Sequence, residues 1–428
     1  MLLALYKTLM AASTPVLEAY LRKREKRGRE DAARAGERRG QAGRLRGTAP
    51  LIWFHAASVG ESLALLAIIT RILQDYPGAE ALVTTGTVTS AKLMAERLPP
   101  RAFHQYMPVD HPKWVKSFID HWHPEAVVWS ESELWPNILA EVKRRGIPAV
   151  LLNARMSESS FRQWKWAKGA AKDVLSVFSL CLGQNVAEAD RLVQLGARDV
   201  RVSSNLKYAA APLPFAPEKL YALKDAIHGR PMMLFASTHP GEEEVALSAH
   251  AALKHRIPGL LTIIVPRHPP RGNDVLALAQ KSGATAVLRS TGALPDSIHE
   301  VYIADTLGEL GLFFRLCNIV VMGGSFAPIG GHNPIEPAQL GCAIFYGPHM
   351  HNFTTINEDF LRAKAAVQVQ TEEELHQKLG AALQSPELFA PMGDAARQMT
   401  EEKSHVTGEI AGLLKPVLDA ALKGRLAA

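Results

Sequence analysis

From residue 50 onward the chain alternates short β-branched or apolar runs with amphipathic stretches, halts once, and then begins the same alternation again. Leu51–His55, Ala81–Thr84, Ala126–Trp129, Ala149–Leu152 and a run near Ser179–Leu182 read as strands, with helices at Glu61–Gln74 and Thr87–Leu98 between them. Strands separated by helical crossovers pair in parallel. The interruption is Ala211-Pro-Leu-Pro-Phe-Ala-Pro217, whose three prolines break every period; it reads as an interdomain linker. Beyond it come strands Met232–Ala236, Leu260–Val265 and Asn318–Met322 and helices Glu242–Leu253 and Pro334–Leu340. The chain closes in helical segments from Glu372 onward. Both halves open alike, with a strand, then Ala57-Ser-Val-Gly60-Glu61 or Ala236-Ser-Thr-His-Pro-Gly241-Glu242, then a helix. The expected fold is α/β, two Rossmann-like units with ligands beyond the carboxyl ends of the strands. The domains read as 1–46, 47–210 and 211–428, the last including the closing helices.

Of the 428 residues, 47% are hydrophobic and 21% charged, enough for two cores and incompatible with disorder. Cys181, Cys317 and Cys342 lie in apolar runs without a C-x-x-C pair, which argues against a disulfide scaffold or a zinc ribbon. The net charge of +6 is local. Between Leu21 and Gly47 eleven cations face four carboxylates, a net +7, so the remainder is near neutral at −1. Nucleic acid is therefore not an expected partner of the folded body.

Met1–Leu21 is mostly apolar, interrupted by Lys7, Pro15 and Glu18, and barely meets the ~20 apolar residues a spanning helix needs. Its positive charge follows the apolar run, the reverse of a secretory signal. Basic residues at that place favour the cytoplasmic side and anionic lipid. Attachment at the cytoplasmic face of a membrane is expected, by spanning or by lying in the interface; the alternative is a plain exposed helix.

Several loops could carry chemistry. In His55-Ala-Ala-Ser-Val-Gly60-Glu61-Ser62 a carboxylate enters the first turn of a helix, as a cap partner for Ser58 or as a general base. Glu131 and Glu133 lie just past a strand, and spacing leaves open which one faces the ligand. Arg155 ends the next strand, as a carboxylate holder or a surface ion pair. Arg267 and His268, between prolines, suit a pre-aimed phosphate contact. Met322-Gly-Gly-Ser325 and Gly330-Gly-His-Asn-Pro-Ile-Glu336 join a strand to a helix, with Asn333 at the N-cap, Pro334 at N1 and Glu336 at N3. The glycines are expected to bring backbone N–H groups to a phosphate. No G-x-G-x-x-G follows the first strand and no P-loop, Asp-x-Asp or His-Glu-x-x-His occurs, so neither metal nor cofactor is expected.

Taken in order, His55-Ala-Ala-Ser-Val-Gly-Glu61, Glu131-Ser-Glu-Leu-Trp-Pro-Asn137, Asn153-Ala-Arg-Met-Ser157, Asn205-Leu-Lys207-Tyr, Pro266-Arg-His-Pro269, Asp305-Thr-Leu-Gly-Glu-Leu310 and Gly330-Gly-His-Asn-Pro-Ile-Glu336 form a specific set. With them the chain resembles the 3-deoxy-D-manno-octulosonic acid (Kdo) transferases of lipopolysaccharide biosynthesis, glycosyltransferases that move Kdo from CMP-Kdo to the lipid A precursor, lipid IVA. The resemblance implies GT-B architecture, two facing Rossmann-like domains with an N-terminal helix on the inner membrane. It implies Glu61 as the base on the acceptor hydroxyl, and Glu131 and Lys207 as stabilisers of the transition state. Arg267 and His268, Leu307, Gly308 and Glu309, and Asn333, Pro334, Ile335 and Glu336 are implied as CMP contacts. Transfer would invert the anomeric carbon, with CMP leaving and no metal required. Ser130, Ser132 and Ser204 depart from the family's usual residues. Rival readings are a GT-B enzyme using a UDP-sugar, such as a lipid A disaccharide synthase, and a non-catalytic nucleotide-binding or scaffold protein.

Overall fold

The computed structural model describes residues 2–131 and 133–423; Met1, Ser132 and residues 424–428 lie outside them. The first sheet contains β1 (Leu51–His55), β2 (Glu80–Thr85), β3 (Ala102–Tyr106), β4 (Ala126–Ser130), β5 (Ala149–Ala154), β6 (Phe178–Gly183) and β7 (Val200–Val202). Its order is β3-β2-β1-β4-β5-β6-β7, all parallel, a doubly wound arrangement whose direction reverses between β1 and β4. The second contains β8 (Met232–Thr238), β9 (Leu261–Pro266), β10 (Ala286–Leu288), β11 (Val301–Ile303), β12 (Ile319–Met322), β13 (Ala343–Tyr346) and β14 (Ala366–Gln368). It is also all parallel, ordered β10-β11-β9-β8-β12-β13-β14, with the reversal between β8 and β12.

Both faces of each sheet are covered, so the central strands are apolar along their length. In β1, Ile52 and Phe54 enter the core beneath the Val59–Asp75 helix, while Leu51 and Trp53 enter the opposite core against the Pro112–Trp122 helix. The strands left unread in the sequence are β3, β7, β10, β11, β13 and β14; four of these are only three residues long, too short to show a period. Pro217 is the first residue of the Pro217–Ile227 helix, where its missing N–H costs nothing.

The chain divides into two compact units, residues 1–210 with 404–428, and residues 211–403. The closing helices therefore do not all belong to the second domain, as read from the sequence. Val406–Leu422 returns to the first unit, where Ile410, Leu414 and Leu418 join the core under the Val59–Asp75 helix and Asp419 accepts from Tyr76 Oη at 2.7 Å. An amphipathic helix states that it needs an apolar partner, but not which one.

Nor is 1–46 a detached segment. The Glu37 carboxylate accepts the Tyr106 N–H at 2.7 Å, and Arg38, buried, donates to the Met107 carbonyl at 3.0 Å and to that of Gly86. Arg46 donates to the Trp122 carbonyl at 2.7 Å. The apolar N-terminus forms two helices, Leu2–Ala12 and Thr14–Lys26, and among the described residues no helix is long and apolar enough to cross a membrane.

Leu414→Ala is expected to cost the first unit about 2–5 kcal/mol, the usual result of emptying a buried leucine site. Hydrogen exchange should show the loss in strands β1–β6 while amides of the second sheet keep their protection.

Candidate active site

In the first unit the relevant side chains gather at the carboxyl ends of β1, β4 and β5. Ser58 opens the Val59–Asp75 helix, its hydroxyl accepting the Glu61 N–H at 3.4 Å. The Glu61 carboxylate in turn accepts from Ser58 Oγ at 2.6 Å and from the Ala57 N–H at 2.8 Å. Glu61 thus helps to cap the helix. Its side chain is also buried, and burial, reinforced by the charge of Glu131, pushes it up to about 7 against those two donors. A carboxyl group poised there can accept a proton near neutral pH. Capping and basicity reside in one group.

Glu131, directly after β4, has φ 56°, a left-handed conformation costing a non-glycine residue of order 1–2 kcal/mol. Its N–H is held by the Leu152 carbonyl at 2.9 Å, and its carboxylate receives Lys207 Nζ at 3.2 Å and Asn153 Nδ2 at 3.4 Å. Asn153, also left-handed at φ 50°, accepts the Leu206 N–H at 3.0 Å, while Asn205 Oδ1 accepts the Lys207 N–H at 3.0 Å. Lys207 is thereby fixed through its backbone and aimed at Glu131. The structure separates the two candidate carboxylates: Glu131 pairs with Lys207, whereas Glu133 is exposed and accepts from Trp135 Nε1 at 3.2 Å.

Sequence reasoning missed Asp110. Buried, it accepts Tyr6 Oη–H at 3.0 Å, the Asn137 N–H at 3.0 Å and the Ile138 N–H at 2.9 Å, capping the Pro136–Arg144 helix that follows the Glu131 loop. Within Val109-Asp-His-Pro112 nothing signals a partner 27 residues away.

In the second unit the carboxyl ends of β11, β9, β8 and β12 follow one another along the sheet edge. Arg267 and His268 leave β9 exposed, the Arg267 N–H anchored on the Thr238 carbonyl at 2.9 Å. Leu307 is exposed, Gly308 is left-handed at φ 79°, and with Phe215 and Leu312 they border a cavity of ≈ 310 Å³. The Glu309 carboxylate is committed to Arg289, Thr306 and Lys219, and the Arg289 bond above all lowers it to about 2. Past β12, Asn333 Oδ1 accepts the Ile335 N–H at 3.2 Å and its Nδ2 donates to Glu336 Oε1 at 3.3 Å, starting the short helix Ile335–Ala338 after Pro334. Burial pushes Glu336 up to about 7, opposed by the Asn333 amide and the Arg267 charge.

The glycine-rich loop departs from expectation. The N–H groups of Gly324, Ser325, Phe326 and Ala327 are bonded to the Glu242 carboxylate, and those of Gly330 and Gly331 to the Gly324 carbonyl at 3.1 and 2.7 Å. These amides serve the protein's own acceptors, not an incoming phosphate. The glycines permit close packing: a Cβ on Gly323 would strike the Ser237 carbonyl, and one on Gly331 the Met350 sulfur. Also unforeseen is His239, whose Nε2 lies 2.8 Å from His332 Nε2 with the rings stacked, and whose ring meets His268 edge-on at 5.9 Å.

Residues 33–210 match the family model described as 3-deoxy-D-manno-octulosonic-acid transferase (kdotransferase). The chain is 37% identical over 350 residues to the 3-deoxy-D-manno-octulosonic acid transferase of Rickettsia bellii, covering 81% of this chain and 83% of that one. With the enzyme of the same name from Haemophilus influenzae it shares 33% over 372 residues, 86% and 87% of the two chains. It belongs to the Kdo transferase family. Its fold is also that of UDP-GlcNAc 2-epimerase from Neisseria meningitidis, at 14% identity and a TM-score of 0.57 over 85% of this chain and 100% of that one. The protein is therefore a glycosyltransferase of GT-B architecture, and every motif of the resemblance lies at a strand's end or in the loop that follows it.

The raised Glu61 has a consequence for stability. Between its ordinary value of 4.5 and about 7 the folded protein retains a proton that the unfolded chain has released, so this group's contribution falls as pH rises through that window. Glu61→Gln should therefore melt above the wild type at pH 8, with the difference vanishing toward pH 4.5, as followed by thermal unfolding.

Proposed function

We propose that this Kdo transferase takes Kdo from CMP-Kdo and joins it to the lipid A precursor, lipid IVA, in one displacement that inverts the anomeric carbon. The acceptor hydroxyl oxygen bonds to that carbon as its bond to the CMP phosphate breaks, and Glu61 takes the hydroxyl proton. The observation that carries this reading is the buried Glu61 carboxyl held near neutrality beside the Glu131–Lys207 pair. Arg267 supplies positive charge for the departing CMP phosphate, one monoester phosphate demanding less than a diphosphate would, while Glu131 and Lys207 stabilise the transition state beside Glu61. Leu307 and Gly308 contribute their backbone to the nucleotide, since the Glu309 side chain is already occupied. Asn333, Pro334, Ile335 and Glu336 complete the CMP subsite, with Glu336 directed to the ribose hydroxyls.

Glu61→Gln should lose on the order of 10²–10⁴ in turnover while leaving CMP affinity within about twofold. In the wild type the rate should rise with pH through about 7 as Glu61 ionises. Near-normal turnover in the variant would confine Glu61 to its capping role. Transfer should also persist in EDTA; an activity abolished by chelation and restored by magnesium would overturn side-chain neutralisation of the phosphate.

The protein works at the cytoplasmic face of the inner membrane, lying in the interface. Leu2, Leu5, Leu9, Val16 and Tyr20 are exposed apolar residues on the two N-terminal helices, while Tyr6 fastens the first of them to Asp110. Of the eleven cations after Leu21, six arginines are spent on ion pairs: Arg24, Arg34, Arg38, Arg39, Arg44 and Arg46. Arg22, Lys23, Lys26, Arg27 and Arg29 remain exposed, each worth about 1 kcal/mol near an anionic surface. Replacing these five by Gln should release the protein from anionic vesicles in a sedimentation assay without lowering its melting temperature. Replacing Arg34, Arg38 and Arg39 should destabilise the fold instead.

A further inference from the structure

The run Gly241-Glu242-Glu243-Glu244 opens the Glu242–Leu253 helix and takes no part in the reaction above. Three adjacent carboxylates at a helix start are ordinarily solvated partners of the helix dipole. Here the first two are buried. Glu243 receives Arg271 Nη1 at 2.6 Å and Thr238 Oγ1 at 2.8 Å, tying the helix to the loop that carries Arg267 and His268. Glu242 is more unusual. Its Oε2 accepts the N–H groups of His239 at 2.9 Å and Gly324 at 2.7 Å. Its Oε1 accepts those of Ser325 at 2.9 Å, Phe326 at 2.9 Å and Ala327 at 3.2 Å. Four successive amides converging on one anion form a nest of the kind that binds phosphate in other loops. In this protein a side chain fills it.

The bonds continue in a ring. Glu242 fixes Gly324; the Gly324 carbonyl takes the N–H groups of Gly330 and Gly331; the next residue, His332, sets its Nε2 against His239 Nε2; and the His239 N–H returns to Glu242. The ring holds the imidazole pair beside His268.

From this geometry we infer that Glu242 is a built-in anion: it fills the phosphate-type nest after β12 and positions His239 and His332 next to Arg267 and His268, so that the donor phosphate is met by side chains. Glu242 acts as a positioning residue and touches no substrate. The inference rests on the assignment of CMP to this loop cluster.

The test uses the full-length enzyme with Glu242→Gln, Glu242→Asp and Glu242→Ala. An amide keeps the shape but turns its NH₂ toward N–H donors, so Glu242→Gln should raise the KM for CMP-Kdo and the Kd for CMP by roughly 10–100-fold. Its kcat and acceptor KM should stay within about threefold, a split that general loosening of the fold would not give. Glu242→Asp keeps the charge and should recover most of the affinity. In Glu242→Ala, added acetate or formate should restore CMP binding by reoccupying the nest. Hydrogen exchange should show the amides of 324–327 deprotected in Glu242→Gln and in Glu242→Ala but not in Glu242→Asp. CMP affinity unchanged in a folded Glu242→Gln, or no rescue by Asp and by acetate, would overturn the inference. Arg267→Ala tests the underlying assignment separately. Should it leave CMP affinity unaltered, CMP binds elsewhere; the filled nest then stands if the 324–327 amides lose protection in Glu242→Gln and falls if they do not.

Discussion

In a parallel α/β sheet the helix that follows a central strand begins where ligands bind, and a carboxylate in its first turn must find donors there or remain protonated. Both units meet this constraint at the same topological position, after β1 and after β8, and they meet it oppositely. Glu61 is buried beside the charge of Glu131 with only two donors to oppose them, and so stays near neutrality. Glu242 has five backbone donors. What differs is the loop after the neighbouring strand: past β4 it brings Glu131, past β12 it brings a row of N–H groups. One scaffold thus yields a base in one unit and an internal structural anion in the other.

The surroundings of Glu61 follow from the same economy of donors. Glu131 and Asn153 each occupy left-handed backbone conformations at strand ends, a local strain that the Leu152, Leu206 and Lys207 bonds hold in place. Asp110 performs a similar service one layer out, fastening the start of the Pro136–Arg144 helix and taking a hydrogen bond from Tyr6 on the first helix of the chain. The N-terminal region is accordingly part of the site's support as well as the membrane-facing element proposed for it. Its arginines divide into those that hold the fold and those left for solvent or lipid, a division invisible to a count of charges.

Much was legible in the sequence because it was local. Short apolar or β-branched runs and helical patterns gave the central strands and their crossovers; three prolines marked the boundary at Ala211; Ser58 three residues before Glu61 announced a cap that the structure contains. The motifs placed Glu61, Glu131, Lys207, Arg267, His268 and the segments 307–309 and 333–336 at strand ends or in the loops beyond them, which follows from connectivity alone.

What tertiary structure decided was every matter of partnership. Glu131, not Glu133, meets Lys207 because β4, β5 and the turn at Asn205 converge, and spacing along the chain cannot express that. The glycine-rich loop looked like a phosphate cradle, yet its amides are satisfied by Glu242, 82 or more residues away. The last helix belongs to the first unit because its apolar face fits the helix after β1. Composition and periodicity fix which groups must be buried or bonded; only the folded chain determines which donor reaches which acceptor, since that depends on contacts between residues remote in sequence.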